Sequence, residues 1–266
     1  MSLTVAGLQH GGVAGDVEAN LRIVAEAAHA AREAGAGLLV TPEMFITGYN
    51  IGDRLAEVAS KDLPERVATV AREAGIAIAA GLPIPRDGGL QNAVVVVDEN
   101  GVELLRYAKT HLFSDLDRTL FVAGDRLPDP IELHGVRLSF LICYDVEFPE
   151  TVRAAADRGV DAVIVPTAQM APYAHIAEKL IPVRAWENQV HVVYINRSGS
   201  EGELDYVGLS SAAAPDGTTL ASLGGTDTEG LLLATIDPDA VTRGRRENPY
   251  LHDRRPELYG TPHPAS

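Results

Sequence analysis

Cysteine occurs once in the 266 residues, at position 143. That excludes an intramolecular disulfide framework and any cysteine-rich zinc site, and a lone thiol fits a reducing, cytoplasmic setting. Positive charge is also scarce. The 22 Lys and Arg against 37 Asp and Glu leave a formal charge of −15, and so acidic a chain repels phosphate backbones, which disfavours nucleic-acid binding. No apolar run approaches the ~18 residues of a membrane span, so no membrane association is expected. The N-terminus lacks a basic stretch leading into an apolar one, so no secretory signal is expected.

What is present is a hydrophobic fraction of 46%, ample for a sizeable core. Strand-like and helix-like segments alternate. Thr4–Leu8 reads as a strand, followed by a helix from a cap at Asp16 to about Glu33 with Leu21, Val24 and Ala28 on one face. A short apolar run, 37–40, stops at Thr41-Pro42. A helix over Leu63–Ala74, with Pro64 in its first turn and Gly75 beyond its end, leads to a strand at Ile76–Ala80. Ala93–Val97 and Val102–Tyr107 flank a turn ending Asn-Gly, the signature of a hairpin. The second half repeats the rhythm. Strands are predicted at Val136–Cys143, Asp161–Val165, Val190–Ile195, Tyr206–Ala214, Thr218–Leu223 and Gly230–Ile236, and helices at Pro149–Asp157, Tyr173–Asn188 and Pro238–Arg246. Pro182 should bend or restart the second of these helices. No linker divides the chain, so one α/β (or α+β) domain over 1–266 is expected, with 248–266 as a C-terminal tail.

Five positions are candidates for site residues. Cys143 ends an apolar strand just before a polar turn and a helix, where a nucleophile is held by a sheet and free backbone N–H groups can meet an oxyanion. The alternative is a buried core thiol. Glu43 follows the end of a strand, where desolvation would prepare a general base; a solvated loop carboxylate is the other reading. Lys109 ends the hairpin, and its functional reading needs a buried anion or a developing oxyanion. Asp115 and Asp117 follow closely, with surface charge as their default.

Taken together the segments resemble the nitrilase, or carbon–nitrogen hydrolase, superfamily, across nearly the whole chain. PEMFITGY (42–49) resembles the motif that holds the family's catalytic Glu, here Glu43. YAKTHLF (107–113) resembles the motif of the catalytic Lys, here Lys109, and LICYDVEFPE (141–150) that of the nucleophile, here Cys143. VRAWENQVHVVYIN (183–196) and GLSSAAAPDG (208–217) resemble later family segments. Many members carry a second Glu soon after the Lys. Counting back from Gly124 places Asp117 there, one methylene shorter, with Asp115 as its rival.

The resemblance implies a four-layer α-β-β-α sandwich and a homodimer or higher homo-oligomer. It implies a cofactor-independent amidase, with no metal, that hydrolyses a small carboxamide to an acid and ammonia through a Cys thioester. Glu43 would move protons, and Lys109 with the Tyr144 backbone N–H would stabilise the oxyanion. Tyr49, Tyr144, Phe148, Thr167 and Trp186 are candidates to line the acyl pocket. Cys-Tyr-Asp at 143–145, where true nitrilases often show Cys-Trp-Glu, leans toward amide or carbamoyl substrates. An N-carbamoyl amidohydrolase or an ω-amidase is the alternative within the family, and a catalytically idle binding protein is the alternative outside enzymes.

Overall fold

In the computed structural model, which describes residues 1–259, the chain forms two stacked six-stranded sheets with helices on their outer faces. The first half runs β1 (Leu3–Gln9), α1 (Val17–Glu33), β2 (Leu38–Val40), α2 (Arg54–Val58), α3 (Leu63–Ala74), β3 (Ala77–Arg86), β4 (Gly89–Val97), β5 (Glu103–Ala108) and α4 (Ser114–Leu120). The second runs β6 (Ile131–Leu133), β7 (Val136–Phe140), α5 (Pro149–Asp157), β8 (Ala162–Pro166), α6 (Ile181–Asn188) and β9 (His191–Ile195). A small hairpin follows, β10 (Ser200–Glu201) with β11 (Leu204–Asp205), then β12 (Ser211–Ala213), β13 (Thr219–Ser222), β14 (Gly230–Ile236), α7 (Pro238–Glu247) and α8 (Tyr250–Asp253). The first sheet has the order β14-β1-β2-β3-β4-β5 and the second β13-β12-β9-β8-β7-β6.

Strand alternation builds the layers. Val5, Leu38, Val40, Ala77, Ala79, Val94 and Val96 face inward and meet Leu138, Phe140, Ile164, Val193 and Ile195 of the other sheet in one core. Their neighbours Ala6, Leu8, Leu39, Ile78 and Val95 face outward and pack under α1 and α3. Val163, Val165, Val192 and Tyr194 do the same under α5 and α6. Central parallel strands covered on both faces read as continuous apolar runs, as these do. Gly7 permits a close approach between the sheets, since a Cβ there would lie 2.0 Å from Ile195 Cδ1. Among the described residues no helix is long and apolar enough to cross a membrane.

Helix ends follow the local chemistry. The Asp16 side chain accepts from Ala19 N and caps α1, and Gly75 closes α3 at φ 65°. Pro182 stands in the first turn of α6, and as expected of it a helix restarts there, after a π-helical turn at Ile176–Leu180.

Three further boundaries differ from expectation. The strand predicted to end at Cys143 stops at Phe140, because the Asp145 carboxylate accepts from Ile142 N and draws the chain into a 3-10 turn, Cys143–Glu147. The strand predicted over Tyr206–Ala214 is reduced to β12, because Gly208 and Leu209 take positive φ and turn the chain. The strands predicted at Ile76–Ala80 and Ala93–Val97 are longer than expected and meet as the β3–β4 hairpin, and α4 lies where no element was predicted. Of the tail, α8 and a 3-10 turn at Pro256–Leu258 lie in the described residues, with Arg254 Nη1 on both oxygens of Asp157 at 2.7 and 2.8 Å. Residues 260–266 lie outside the described residues.

Candidate active site

The end of β2 and the end of β7 are adjacent strand termini in the two facing sheets, and both chains turn sharply there. After Val40, Thr41 N still bonds to Ala79 O on β3, and the chain then leaves the sheet so that Glu43 lies over Gly81. Gly81 is required by this approach: a Cβ there would sit 2.3 Å from Pro42 O and 2.9 Å from Glu43 Cα. Met44 and Cys143 take the left-handed conformation, at φ 52° and 46°. Such strain in non-glycine residues persists only where the surroundings enforce it, and it collects at functional sites.

Glu43 is fully buried. Its Oε1 accepts from Asn92 Nδ2 at 2.6 Å and Lys109 Nζ at 2.8 Å, while its Oε2 has no partner among the described residues. Lys109 lies just beyond β5, tied to β4 by its N–H on Asn92 O at 2.8 Å. Its Nζ also donates to Asp117 Oδ2 at 2.7 Å. Asp117, on α4, accepts in addition from Phe113 N on the same oxygen and from Tyr49 OH on Oδ1 at 2.6 Å. The geometry thus separates the two aspartates: Asp117 is buried on the ammonium, and Asp115 has a side chain 98% exposed beside Arg118.

Two carboxylates and one ammonium share this dry space, and their proton affinities reflect it. Burial raises the Glu43 carboxyl above its ordinary range, and the nearby Asp117 charge adds to this against the opposing pull of Lys109. Burial alone would depress Lys109, but the carboxylates, led by Glu43, override it and hold the amine well above its usual value. Cys143 lies beside them. Burial and the Glu43 charge push its thiol up, so the resting sulfur keeps its proton until a base removes it. Of these four residues Cys143 is the most exposed, at 6%.

The rim is aromatic. Phe113 meets Tyr144 and Tyr173 edge-on, with centroids 5.3 and 6.1 Å apart, and Tyr144 meets Phe148 at 4.9 Å. His111 stacks on Phe148 at 4.1 Å. Thr167 is buried beside the thiol and accepts the Glu43 backbone N–H at 3.3 Å. Gln169 Oε1 stands 3.7 Å from Cys143 Sγ. Tyr49 is placed under the site, stacked on Phe121 with its hydroxyl on Asp117. Trp186 is a correction. It lies off the buried face of α6, against Tyr250 at 5.8 Å and close to Gly217, and is not among the residues around Cys143.

Sequence reading missed the supports. Asn92 could have been suspected as a buried amide at the head of a valine run. Asp145 is a hub: its fully buried carboxylate accepts from Tyr107 OH, Thr110 Oγ1, His111 N and Ile142 N, which ties the loop after Lys109 to the turn of Cys143. Arg184 donates to Val146 O and Glu147 O and braces the same turn from α6. Among the described residues no group of three or more His, Cys, Asp or Glu is arranged to hold a metal ion.

A buried Glu–Lys–Asp chain beside a single thiol, at the ends of strands in two stacked sheets, defines a class of thiol hydrolases. The sequence model of the carbon-nitrogen hydrolase family matches residues 3–246, and the chain belongs to that family. It is 46% identical over 92% of its length to the "hydrolase in pqqF 5'region" of Pseudomonas protegens, covering 86% of that protein. It is 36% identical over 85% of its length to an (R)-stereoselective amidase of a Pseudomonas species, covering 83% of it. An amidase from a Nesterenkonia species, solved in complex with acrylamide, superposes with a TM-score of 0.88 at 36% identity, over 97% of this chain and 95% of that one. Other structures of the same amidase hold butyramide, or acrylamide added at the active-site cysteine. The protein is an enzyme that hydrolyses non-peptide carbon–nitrogen bonds.

Proposed function

We propose that the enzyme is an amidase that hydrolyses a small carboxamide to the carboxylic acid and ammonia through a thioester on Cys143. The observation that carries this is the divided Glu43 carboxylate. One oxygen is fixed by Asn92 and Lys109, and the other is buried, without a partner among the described residues, beside a thiol that still holds its proton. Glu43 Oε2 takes the thiol proton as sulfur attacks the amide carbon. Lys109 has three N–H groups, two of them on carboxylates. The third, with the Tyr144 backbone N–H, stabilises the oxyanion. The tetrahedral intermediate collapses as the Glu43 proton passes to the departing nitrogen, and ammonia leaves. Glu43 then deprotonates a water that attacks the thioester, and the proton returns to sulfur as the acid is released. Asp117 holds Lys109 in place, and Tyr49 holds Asp117.

The aromatic rim of Tyr144 and Phe148 with Thr167 supports a short, largely apolar acyl group. The amide ligands of the Nesterenkonia amidase are of that kind. A homodimer joined through the outer face of α6 and α8, where Val183 and Tyr250 are exposed, belongs to the same proposal and is tested by sedimentation.

The experiment is ammonia release from propionamide, butyramide, 2-oxoglutaramate, an N-carbamoyl amino acid and propionitrile, with Cys143→Ala as control. Turnover of the simple amides, lost in the control, is the expected result. Ammonia from the carbamoyl compound alone, or turnover that survives in the control, would overturn it.

A further inference from the structure

A second buried ion pair lies behind the site, and no step above uses it. Arg197 follows β9 and Glu201 lies in β10, and their side chains are 1% and 3% exposed. An ion pair out of water is costly unless close hydrogen bonds replace its hydration, so what this pair binds indicates what it is for. Glu201 Oε1 accepts from Arg197 Nη2 at 3.2 Å and from Tyr49 N at 3.1 Å. Its Oε2 accepts from Tyr49 N at 3.0 Å, Asn50 N at 2.5 Å and Tyr206 OH at 2.8 Å. Arg197 donates through Nη1 to Met44 O at 3.3 Å and through Nη2 to Gly11 O at 2.6 Å. Its guanidinium lies 5.1 Å from the Tyr206 ring centroid and 6.0 Å from that of Phe45.

Most of these contacts fall on one segment, residues 44–50, which forms neither strand nor helix. Glu43 stands at its entrance and Tyr49, which orients Asp117, near its exit. The pair grips the segment at both ends, at the Met44 carbonyl and at the Tyr49 and Asn50 N–H groups. Met44 itself is held in a left-handed conformation that an ungripped chain would relax.

We propose that Arg197 and Glu201 are positioning residues. By clamping 44–50 they aim the free Glu43 oxygen at Cys143 and, through Tyr49 and Asp117, fix Lys109. The proposal rests on the reading of Glu43 as the base for Cys143.

Because Cys143 is the only thiol in the chain, its alkylation by iodoacetamide across pH reads the Glu43–Cys143 couple directly, without any choice of amide. Glu201→Gln keeps the shape but removes the charge and turns one acceptor into a donor facing N–H groups. The folded Glu201→Gln protein is expected to alkylate about 10-fold to 100-fold more slowly at neutral pH, the scale of a sub-ångström to ångström misplacement. Its alkylation midpoint should move to higher pH, and kcat should fall more than KM rises. Arg197→Lys, which keeps the charge and one donor for Met44 O, should lie between it and the parent and serves if Glu201→Gln does not fold. A folded variant with lowered thermal midpoint but an unshifted alkylation midpoint would overturn the clamp and leave a purely structural pair. Glu43→Gln, run alongside, separates the two readings. If Glu43→Gln shifts the profile and the clamp variants do not, only the clamp fails; if Glu43→Gln itself leaves the profile unchanged, the base assignment fails and the clamp with it.

Discussion

In the first sheet three parallel strands, β1, β2 and β3, run between antiparallel β14 and β4; in the second, β7, β8 and β9 run between β6 and β12. The middle strands end alike. Val40 is paired with Ala79, and Thr41 N bonds to Ala79 O; Pro166 is paired with Ile195, and Thr167 N bonds to Ile195 O. In this register Thr-Pro-Glu-Met at 41–44 corresponds to Thr-Ala-Gln-Met at 167–170, and Glu43 corresponds to Gln169. Both side chains approach Cys143, one as a carboxylate and the other as a neutral amide of nearly the same shape. One frame therefore presents two near-isosteric groups to one sulfur, and only the first can take its proton. The charged groups, Glu43, Lys109 and Asp117, come from the first half and the nucleophile from the second, so the site exists only where the sheets are stacked.

The sharpest way to break this asymmetry is Glu43→Gln, which makes the two stretches alike at the decisive position. Loss of a positioned general base is expected to lower kcat/KM by about 10²–10⁴-fold. The wild-type enzyme should lose activity as pH falls through the Glu43 value, which burial holds above the ordinary 4.5 because the base must be ionised to act. In steady-state profiles that acid limb disappears in Glu43→Gln. Lys109→Met is next. It removes the cation that balances two buried carboxylates, and turnover should drop about 10²–10³-fold. Stability should fall by about 3–5 kcal/mol in urea denaturation, since Glu43 and Asp117 are left buried without compensation.

Gln169→Glu tests the other stretch. A second carboxylate 3.7 Å from the sulfur raises the thiol further and opposes the thiolate. A fall of about tenfold per pK unit in alkylation rate is expected, with no second acid limb of the Glu43 kind. The smallest effect falls on stability and belongs to the second sheet alone. Burial holds the His191 imidazole below its ordinary 6.5. The unfolded chain then takes up a proton more readily than the folded one, so this contribution is fully present above pH 6.5 and is lost as pH falls toward the folded value. The thermal midpoint should decline over that interval in the parent and less steeply in His191→Asn.

Local pattern carried the order of strands and helices, while Glu43, Lys109 and Cys143 were singled out by the resemblance of their segments to the family's motifs, since each alone also reads as an ordinary loop, surface or core residue. The same resemblance favoured Asp117 over Asp115, where local pattern left both as surface charge, and these two now stand at opposite extremes of burial. Local pattern failed where the deciding partner is distant. Asn92 is a strand residue until Glu43 is placed against it, and Arg197 and Glu201 look like loop charges until residues 44–50 fold onto them. Trp186 was drawn toward the site by its motif, but helix α6 turns that position outward onto Tyr250. The correspondence of Glu43 with Gln169 needs the strand register, which no short window of sequence contains.

The account stands on a thioester at Cys143 formed with a proton taken by Glu43. Acid-quenched mixing of enzyme with butyramide, followed by mass mapping of the peptide that carries Cys143, tests this most directly. The account predicts a butyryl group on Cys143 that appears within the first turnover, forms far more slowly in Glu43→Gln and is absent in Cys143→Ala. Full turnovers with no mass gain at Cys143, or a butyryl group carried by another residue, would contradict it.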